Sequence, residues 1–331
     1  MEISLYEGLC FLLVEVCYGQ LEKVRYGPSR IGHPRYFKAR TYCNLTYDTW
    51  KNLSNPDVYE ITVNEQTTIH RLWGIQLKLV SLDAHNIGTE HICCAISDKK
   101  VQRGVELKKD WLKNRLEEGL VFKKLDAKGK VFIEYLPAEY AWVPISAAGY
   151  TCVNCFWVSG RFKGQGYGAQ LLDACIQDSK EKGKHGIVVI SSNKKRPYLS
   201  DSNYFKKKGF QVCDTAPPYF ELLVYKFNPD APTPQFKASA KEMKITNQNG
   251  LVVYYTNQCP FTDYYINQEL RDVTKQYNIA FECIQLTSRE DAQNAPCAFT
   301  TYGAFYNGEF LTHEILTAKK FEKMMMNMKQ I

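Results

Sequence analysis

The chain holds 331 residues, 45% apolar and 23% charged, which suits two globular domains and excludes a disordered or fibrous protein. Its 42 Lys and Arg against 35 Asp and Glu leave a net charge of +7, densest between Lys180 and Lys208, a field that favours an anionic partner such as a phosphate-rich cofactor. No RNA- or DNA-binding signature points to nucleic acid, and the longest apolar run, Leu9–Val14, is far short of the roughly 20 residues a membrane span needs, so neither a span nor a signal peptide is expected.

Residues 1–73 mix aromatics, cysteines and turn-formers without clean periodicity and stand as an unassigned N-terminal extension. A first domain is expected over 77–227. It opens with an alternating strand at Leu77–Leu82, a short helix around Thr89–Ile96, and a helix over Val101–Leu120 with Val105, Trp111, Leu112 and Leu116 on one face. Strands Leu120–Leu125 and Lys130–Leu136 flank a hairpin turn at Asp126–Gly129. Tyr150–Val158 reads as a buried strand, Gln165–Lys182 as an amphipathic helix, and Gly186–Ile190 as a short apolar strand. A helix over Ser200–Lys208 stops at Gly209, which can take the left-handed cap. Tyr219–Phe227 is the last strand. Three prolines in Asn228–Pro234 mark a linker over 228–242. A second domain, 243–331, follows: strand Leu251–Thr256, helix Thr262–Tyr277, strand Ala280–Leu286, a hairpin turning at Asn307-Gly308, and helix Thr317–Met328. That βαβ then ββα order is the order of a thioredoxin fold.

The chemistry concentrates between Val158 and Leu172. Glycines at 164, 166 and 168 clear one face of a strand-to-helix turn, so that backbone amides and the helix N-terminus can converge on an anion, with Arg161 and Lys163 adding full charge. A Walker loop is excluded because no Ser or Thr follows a Gly-Lys pair. A dinucleotide fingerprint fits in part, through Gly164, Gly166 and Ala169, and Ser191–Arg196 would suit a 2′-phosphate. Against NADP, the motif follows a hairpin rather than a first parallel strand.

Lys163-Gly-Gln-Gly-Tyr-Gly168 resembles the Arg/Gln-x-x-Gly-x-Gly/Ala hallmark of the GNAT superfamily of acetyl-CoA-dependent N-acetyltransferases, with Lys in first place. Asn203-Tyr-Phe-Lys-Lys-Lys-Gly-Phe210 resembles that family's downstream aromatic pair before Lys-x-Gly-Phe. The resemblance implies an α/β fold, a mixed, mostly antiparallel sheet flanked by helices, and an acyltransferase, which the irregular cysteine spacing places in the cytoplasm. Acetyl-CoA would be held by Phe156, Val158, Lys163, Gly164, Gln165, Gly166, Tyr167, Gly168 and Asn193. The family's tyrosine acid aligns with Phe205, which has no proton to give; Tyr204 is adjacent but offset by about 100° around the helix. Glu134 and Glu139 are the candidate general bases, provided burial tunes them. The acceptor would be a small-molecule or peptide amine, with homodimerisation left open.

The segment after the linker resembles the YoaP-like domains fused to such enzymes and implies a small thioredoxin-like α/β domain. Cys259-Pro-Phe-Thr262 resembles a Cys-x-x-Cys site whose second cysteine is Thr262, and Cys297 follows Pro296, which resembles that fold's cis-proline; Cys259 and Cys297 are thus a candidate redox pair. The irregular spacing of the twelve cysteines otherwise predicts reduced, buried thiols such as Cys155, Cys175 and Cys283. His91-Ile-Cys93-Cys94 has no normal metal-ligand spacing, so no metal is expected. The alternative to acetyl transfer is a thiol-sensing or metal-binding protein whose transferase fold only binds a nucleotide cofactor.

Overall fold

A computed structural model describes residues 78–92, 95, 96 and 98–329, and before them only the backbone of Val24–Arg25, Tyr36–Phe37, Tyr59–Val63 and Gln66–His70. The rest of the expected extension, and Cys93 and Cys94, lie outside the described residues. Those four strands pair antiparallel, two by two, in a first unit, Met1–Lys78. Residues Leu79–Ile331 form the other unit, and its elements are numbered here from Leu79.

In chain order this unit begins with β1 (Leu79–Ser81), α1 (Gln102–Leu116), β2 (Val121–Leu125), β3 (Val131–Pro137), β4 (Ile145–Ser146) and β5 (Thr151–Val158). Then come α2 (Tyr167–Glu181), β6 (Gly186–Ser192), α3 (Ser202–Lys207), β7 (Gln211–Ala216) and β8 (Phe220–Lys226). Seven of these strands make one sheet in the order β7-β8-β6-β5-β3-β2-β1, antiparallel except for β5 beside β6. This is the mixed, mostly antiparallel sheet expected.

The helices divide between the faces. α1 buries the stripe Gly104, Lys108, Trp111 and Leu112, and ends early because Gly119 takes φ +86° and turns the chain towards β2. On the other face α2 buries Leu171, Leu172 and Cys175. α3 is capped by the Asp201 carboxylate accepting from the Asn203 amide and stops at Gly209, φ +89°. The helix expected at Thr89–Ile96 does not form in its described part: residues 84–89 are turns tied by Asp83 and Asn86 side chains. β7 has no counterpart in the sequence reading, since its exposed run hides the two-residue period of an edge strand.

After β8 the prolines do not swing free. Pro232 carbonyl accepts from Tyr150 Oη at 2.8 Å and Lys226 Nζ donates to Ala231 carbonyl at 2.7 Å. β9 (Gln235–Phe236) pairs with β4, so the expected linker lies strapped to the first sheet and is followed by the short helix α4 (Ala238–Glu242). A second sheet is built from β10 (Leu251–Tyr255), β11 (Phe281–Gln285), β12 (Tyr302–Tyr306) and β13 (Glu309–Thr312), in the order β11-β10-β12-β13. β10 runs parallel to β11 and antiparallel to β12. Between β10 and β11 runs α5, continuous through Phe261–Tyr264, a π-helical stretch Tyr265–Leu270, and Arg271–Gln276. α6 (Arg289–Gln293) precedes β12 and α7 (Ala318–Lys329) ends the described chain. The β12–β13 turn holds Asn307 and Gly308 at positive φ, as its sequence requires.

The C-terminal sheet does not stand apart. Leu286, Ala295 and Phe299 share one apolar cluster with Val188, Ile190, Leu222 and Val224 of β6 and β8. That cluster also contains Trp111 and Leu112 of α1, so the second sheet's domain covers the α1 face where α1 leaves off. β6 is buried along its whole length because both of its faces are covered. Among the described residues no helix is long and apolar enough to cross a membrane.

Candidate active site

The site grows from a fault in the sheet. β5 pairs with β6 only over Thr151–Val153, although both strands continue. Opposite β3 the register slips: Glu134 faces Cys155 while Tyr135 faces Val153, leaving Asn154 as an extra residue. Such a bulge bends its strand, and here it carries Asn154–Val158 away from β6. Among the described residues, the strand edge so released has amides without a sheet partner on the β6 side.

Beyond Val158 comes the glycine loop. Gly160, Gly164 and Gly166 all have positive φ, and a side chain at each would meet open space. Gly166 is the N-cap of α2 and offers no side-chain acceptor, so the first-turn amides point outward until Gln170 N–H bonds Gly166 carbonyl at 3.1 Å. Arg161 and Lys163 flank this cradle, both exposed. Gln165 is turned back, its Nε2 donating to Arg161 carbonyl at 2.6 Å. Sequence reading missed the anchor of the loop. Phe162 is buried and packs where Gly129 of the β2–β3 turn has no side chain; a Cβ there would lie 2.2 Å from the ring. The cradle can hold an anion such as a pyrophosphate, and the splayed β5 edge continues straight from it. Asn193, exposed just past β6, donates its amide to Tyr219 carbonyl at 3.1 Å.

The candidate catalytic side chains separate. Glu134, expected on a strand face, is 1% exposed and bonded to Lys108 Nζ of α1 at 2.8 Å. Asn154 of the bulge also donates to it, at 3.4 Å. Lys108 was not singled out by the sequence, although a lysine three residues before Trp111 in an apolar stripe is the signal. Glu139 is not at the site. It accepts from Gly149 amide at 2.7 Å and faces Lys184 Nζ at 3.5 Å, just before the Thr151 end of β5, where that strand is still paired with β6. Phe205, aligned with the expected acid, is fully buried against Phe210. The offset that was expected to turn Tyr204 away instead lays its ring on Phe156 of the splayed strand, centroids 5.3 Å apart. Its hydroxyl lies against the first turn of α2, 3.1 Å from where a Gly168 Cβ would be. That hydroxyl is buried with no hydrogen-bond partner among the described residues, and burial, with the Asp173 carboxylate, raises its pKa.

The two candidate redox cysteines are not brought together. Cys259 packs with the cluster of Leu251, Val253 and Tyr255, whereas Cys297 packs with Val252 and Phe305. Alternate residues of β10 point to opposite faces, so the two thiols lie on opposite sides of the sheet. Burial pushes the Cys297 thiol up to about 12. The one cis peptide among the described residues is Pro217–Pro218, so Pro296 lacks the isomer expected of it. Thr262, in place of the second cysteine, is buried and donates to Cys259 carbonyl at 2.8 Å. His91 Nε2 is paired with Gly129 carbonyl at 2.8 Å. Two cavities, of about 620 Å³ beside β11 and α4 and about 510 Å³ beside Glu139 and Pro232, lie away from the splay.

Residues 87–197 match the family model described as Acetyltransferase (GNAT) family, and residues 280–323 match the model described as YoaP-like. Over 246 residues the chain is 47% identical to "Uncharacterized N-acetyltransferase YoaP" of Bacillus subtilis (strain 168), an alignment covering 74% of this chain and 97% of that protein. Among solved structures, a GNAT family acetyltransferase from Brucella melitensis in complex with acetyl-CoA is 16% identical, with a TM-score of 0.32 over 49% of this chain and 96% of its own. PaiA N-acetyltransferase from Thermoplasma acidophilum in complex with coenzyme A is 16% identical, with a TM-score of 0.33 over 46% of this chain and 100% of its own.

Proposed function

The chain belongs to the acetyltransferase (GNAT) family, and from that premise we propose that it moves an acetyl group from acetyl-CoA to the amine of a small molecule or peptide. The observation that carries this reading is the continuity of the glycine cradle with the splayed edge of β5. One holds a pyrophosphate with backbone amides and Lys163; the other offers amides to the pantetheine arm and to the thioester oxygen. Phe156, Val158 and Asn193 line this path, and Gly164, Gly166 and Gly168 keep it clear.

The chemistry places two demands on opposite sides of the thioester carbonyl. An amine attacks carbon on one side and gives up a proton; the thiolate leaves on the other and takes one. Glu134 lies on the α1 face of the sheet and Tyr204 on the α2–α3 face, which suits a base for the amine and an acid for the thiolate. The raised pKa of Tyr204 keeps its proton in place at neutral pH. Lys108 holds the Glu134 carboxylate in one position, and Glu139 has no part in this scheme. We further read 77–227 as the transferase domain and 243–331 as a thioredoxin-like domain joined through 228–242, in a cytoplasmic enzyme.

Calorimetry with acetyl-CoA tests the reading. Gly166→Glu puts a carboxylate where the pyrophosphate would sit, at a φ of +81° that no side chain favours. Micromolar binding by the wild type that is lost in Gly166→Glu is expected. Absence of binding by folded wild-type protein overturns it.

A further inference from the structure

Beyond the contacts of α6, whose Gln293 donates to Glu139 and Ala141 carbonyls, the C-terminal domain meets α1 at one place and the end of β6 at another. On the α1 side, Gly104 lies so close to the Cys259–Phe261 turn that a Cβ on it would sit 1.9 Å from Pro260 carbonyl oxygen. Thr300 Oγ1 donates to the carbonyl of Trp142, which packs on Trp111 further along α1. On the β6 side, His313 is fully buried and bonded at both nitrogens: Tyr219 Oη lies 2.6 Å from Nδ1 and Pro197 carbonyl 2.9 Å from Nε2. Phe299 packs against His313 with centroids 5.8 Å apart, so residues 299 and 300 tie one grip to the other. Between them Thr256, Gln258 and Thr300 form a buried hydrogen-bonded knot.

These contacts lie on the α1 face. The glycine cradle belongs to α2 on the opposite face, so on the acetyl-transfer reading the acceptor would approach from the side that the C-terminal domain covers. We propose that the C-terminal domain is a fixed wall of the acceptor site, its segments 256–261 and 299–301 reaching from α1 to the end of β6 across the splay, and that it excludes water from the thioester until an acceptor enters. This rests on the acetyl-transfer reading. It gives the Cys259–Pro260 turn a positioning role that needs no redox chemistry. Water exclusion is a physical requirement here, because a polarised thioester exposed to solvent hydrolyses to acetate and free CoA.

The full-length Gly104→Val variant tests the wall. Its side chain must displace the Pro260 backbone, which faster amide exchange over 256–261 would register. Expected are an acetyl-CoA affinity within about twofold of wild type and, with no acceptor present, free CoA release at least about fivefold faster by chromatography. Faster exchange with unchanged CoA release overturns the proposal. If Gly104→Val does not fold, Tyr219→Phe decides: it removes the hydroxyl bonded to His313 while keeping the ring. Faster CoA release supports the wall and an unchanged rate overturns it. Failure of the wild type to bind acetyl-CoA is a separate result, which removes the acetyl-transfer reading and the wall with it.

Discussion

Replacing Lys108 by Met separates structural need from catalytic need at Glu134. Both side chains are almost fully buried, at 2% and 1% exposure, and their charged atoms are 2.8 Å apart. Removing the ammonium leaves a carboxylate in the core with only the 3.4 Å bond from Asn154. Breaking such a pair from one side costs about 3–5 kcal/mol, a drop of roughly two to four powers of ten in the folding equilibrium. Replacing both members by apolar residues of similar volume, Lys108→Met with Glu134→Leu, is expected to recover most or all of that loss, since neither charge then needs desolvating. Urea denaturation of the three proteins measures it. If Glu134 is the base, the double variant is stable and acetyl-CoA-binding but slow in transfer. A loss below about 1 kcal/mol for Lys108→Met, or a double variant as unstable as the single one, refutes the buried-pair reasoning.

Tyr204→Phe removes a buried hydroxyl that has no partner among the described residues, so stability is expected to hold or rise slightly in the same denaturation assay; if the hydroxyl protonates the thiolate, kcat falls by about 100-fold or more with KM little changed. Acid stability should depend on His313 and His91, whose pKa values are lowered from 6.5, in both cases chiefly by burial. For His313, Arg196 and Lys320 add to the lowering and are opposed by Pro197 carbonyl and Glu314. Below pH 6.5 the unfolded chain binds protons that the folded imidazoles refuse, so their contribution is complete above pH 6.5 and declines as pH falls through that value. Thermal melts between pH 7 and pH 5 should show the decline, and His313→Gln should flatten it.

The position of Tyr204 shows how little sequence separates a core residue from a functional one. One step along α3 exchanges the fully buried Phe205 for a ring lying on the splayed strand. In this chain the phenol stands one position earlier than the family pattern predicts, and the structure still sets it against Gly168 of the cradle.

What the chain determined by itself were its local and periodic features. The glycine cradle, the α2 stripe, the Gly209 stop and the Asn307-Gly308 turn each depend on a few neighbouring residues, and each occurs where those residues predict it. The resemblance carried by Lys163–Gly168 and Asn203–Phe210 pointed to the same glycine loop for the same reason, since a backbone cradle is encoded by consecutive positions. Tertiary structure alone decided the rest. That Glu134 meets Lys108, that Cys259 and Cys297 fall on opposite faces of one sheet, and that a proline-rich stretch is strapped down by Tyr150 and β4 are facts about residues far apart in the chain. So is the docking of Pro260 on Gly104, which a glycine in a helix permits but does not announce. Partners of this kind are fixed by how sheet faces and helices stack to bury apolar surface, and no local pattern of residues specifies which distant side chain will be waiting there.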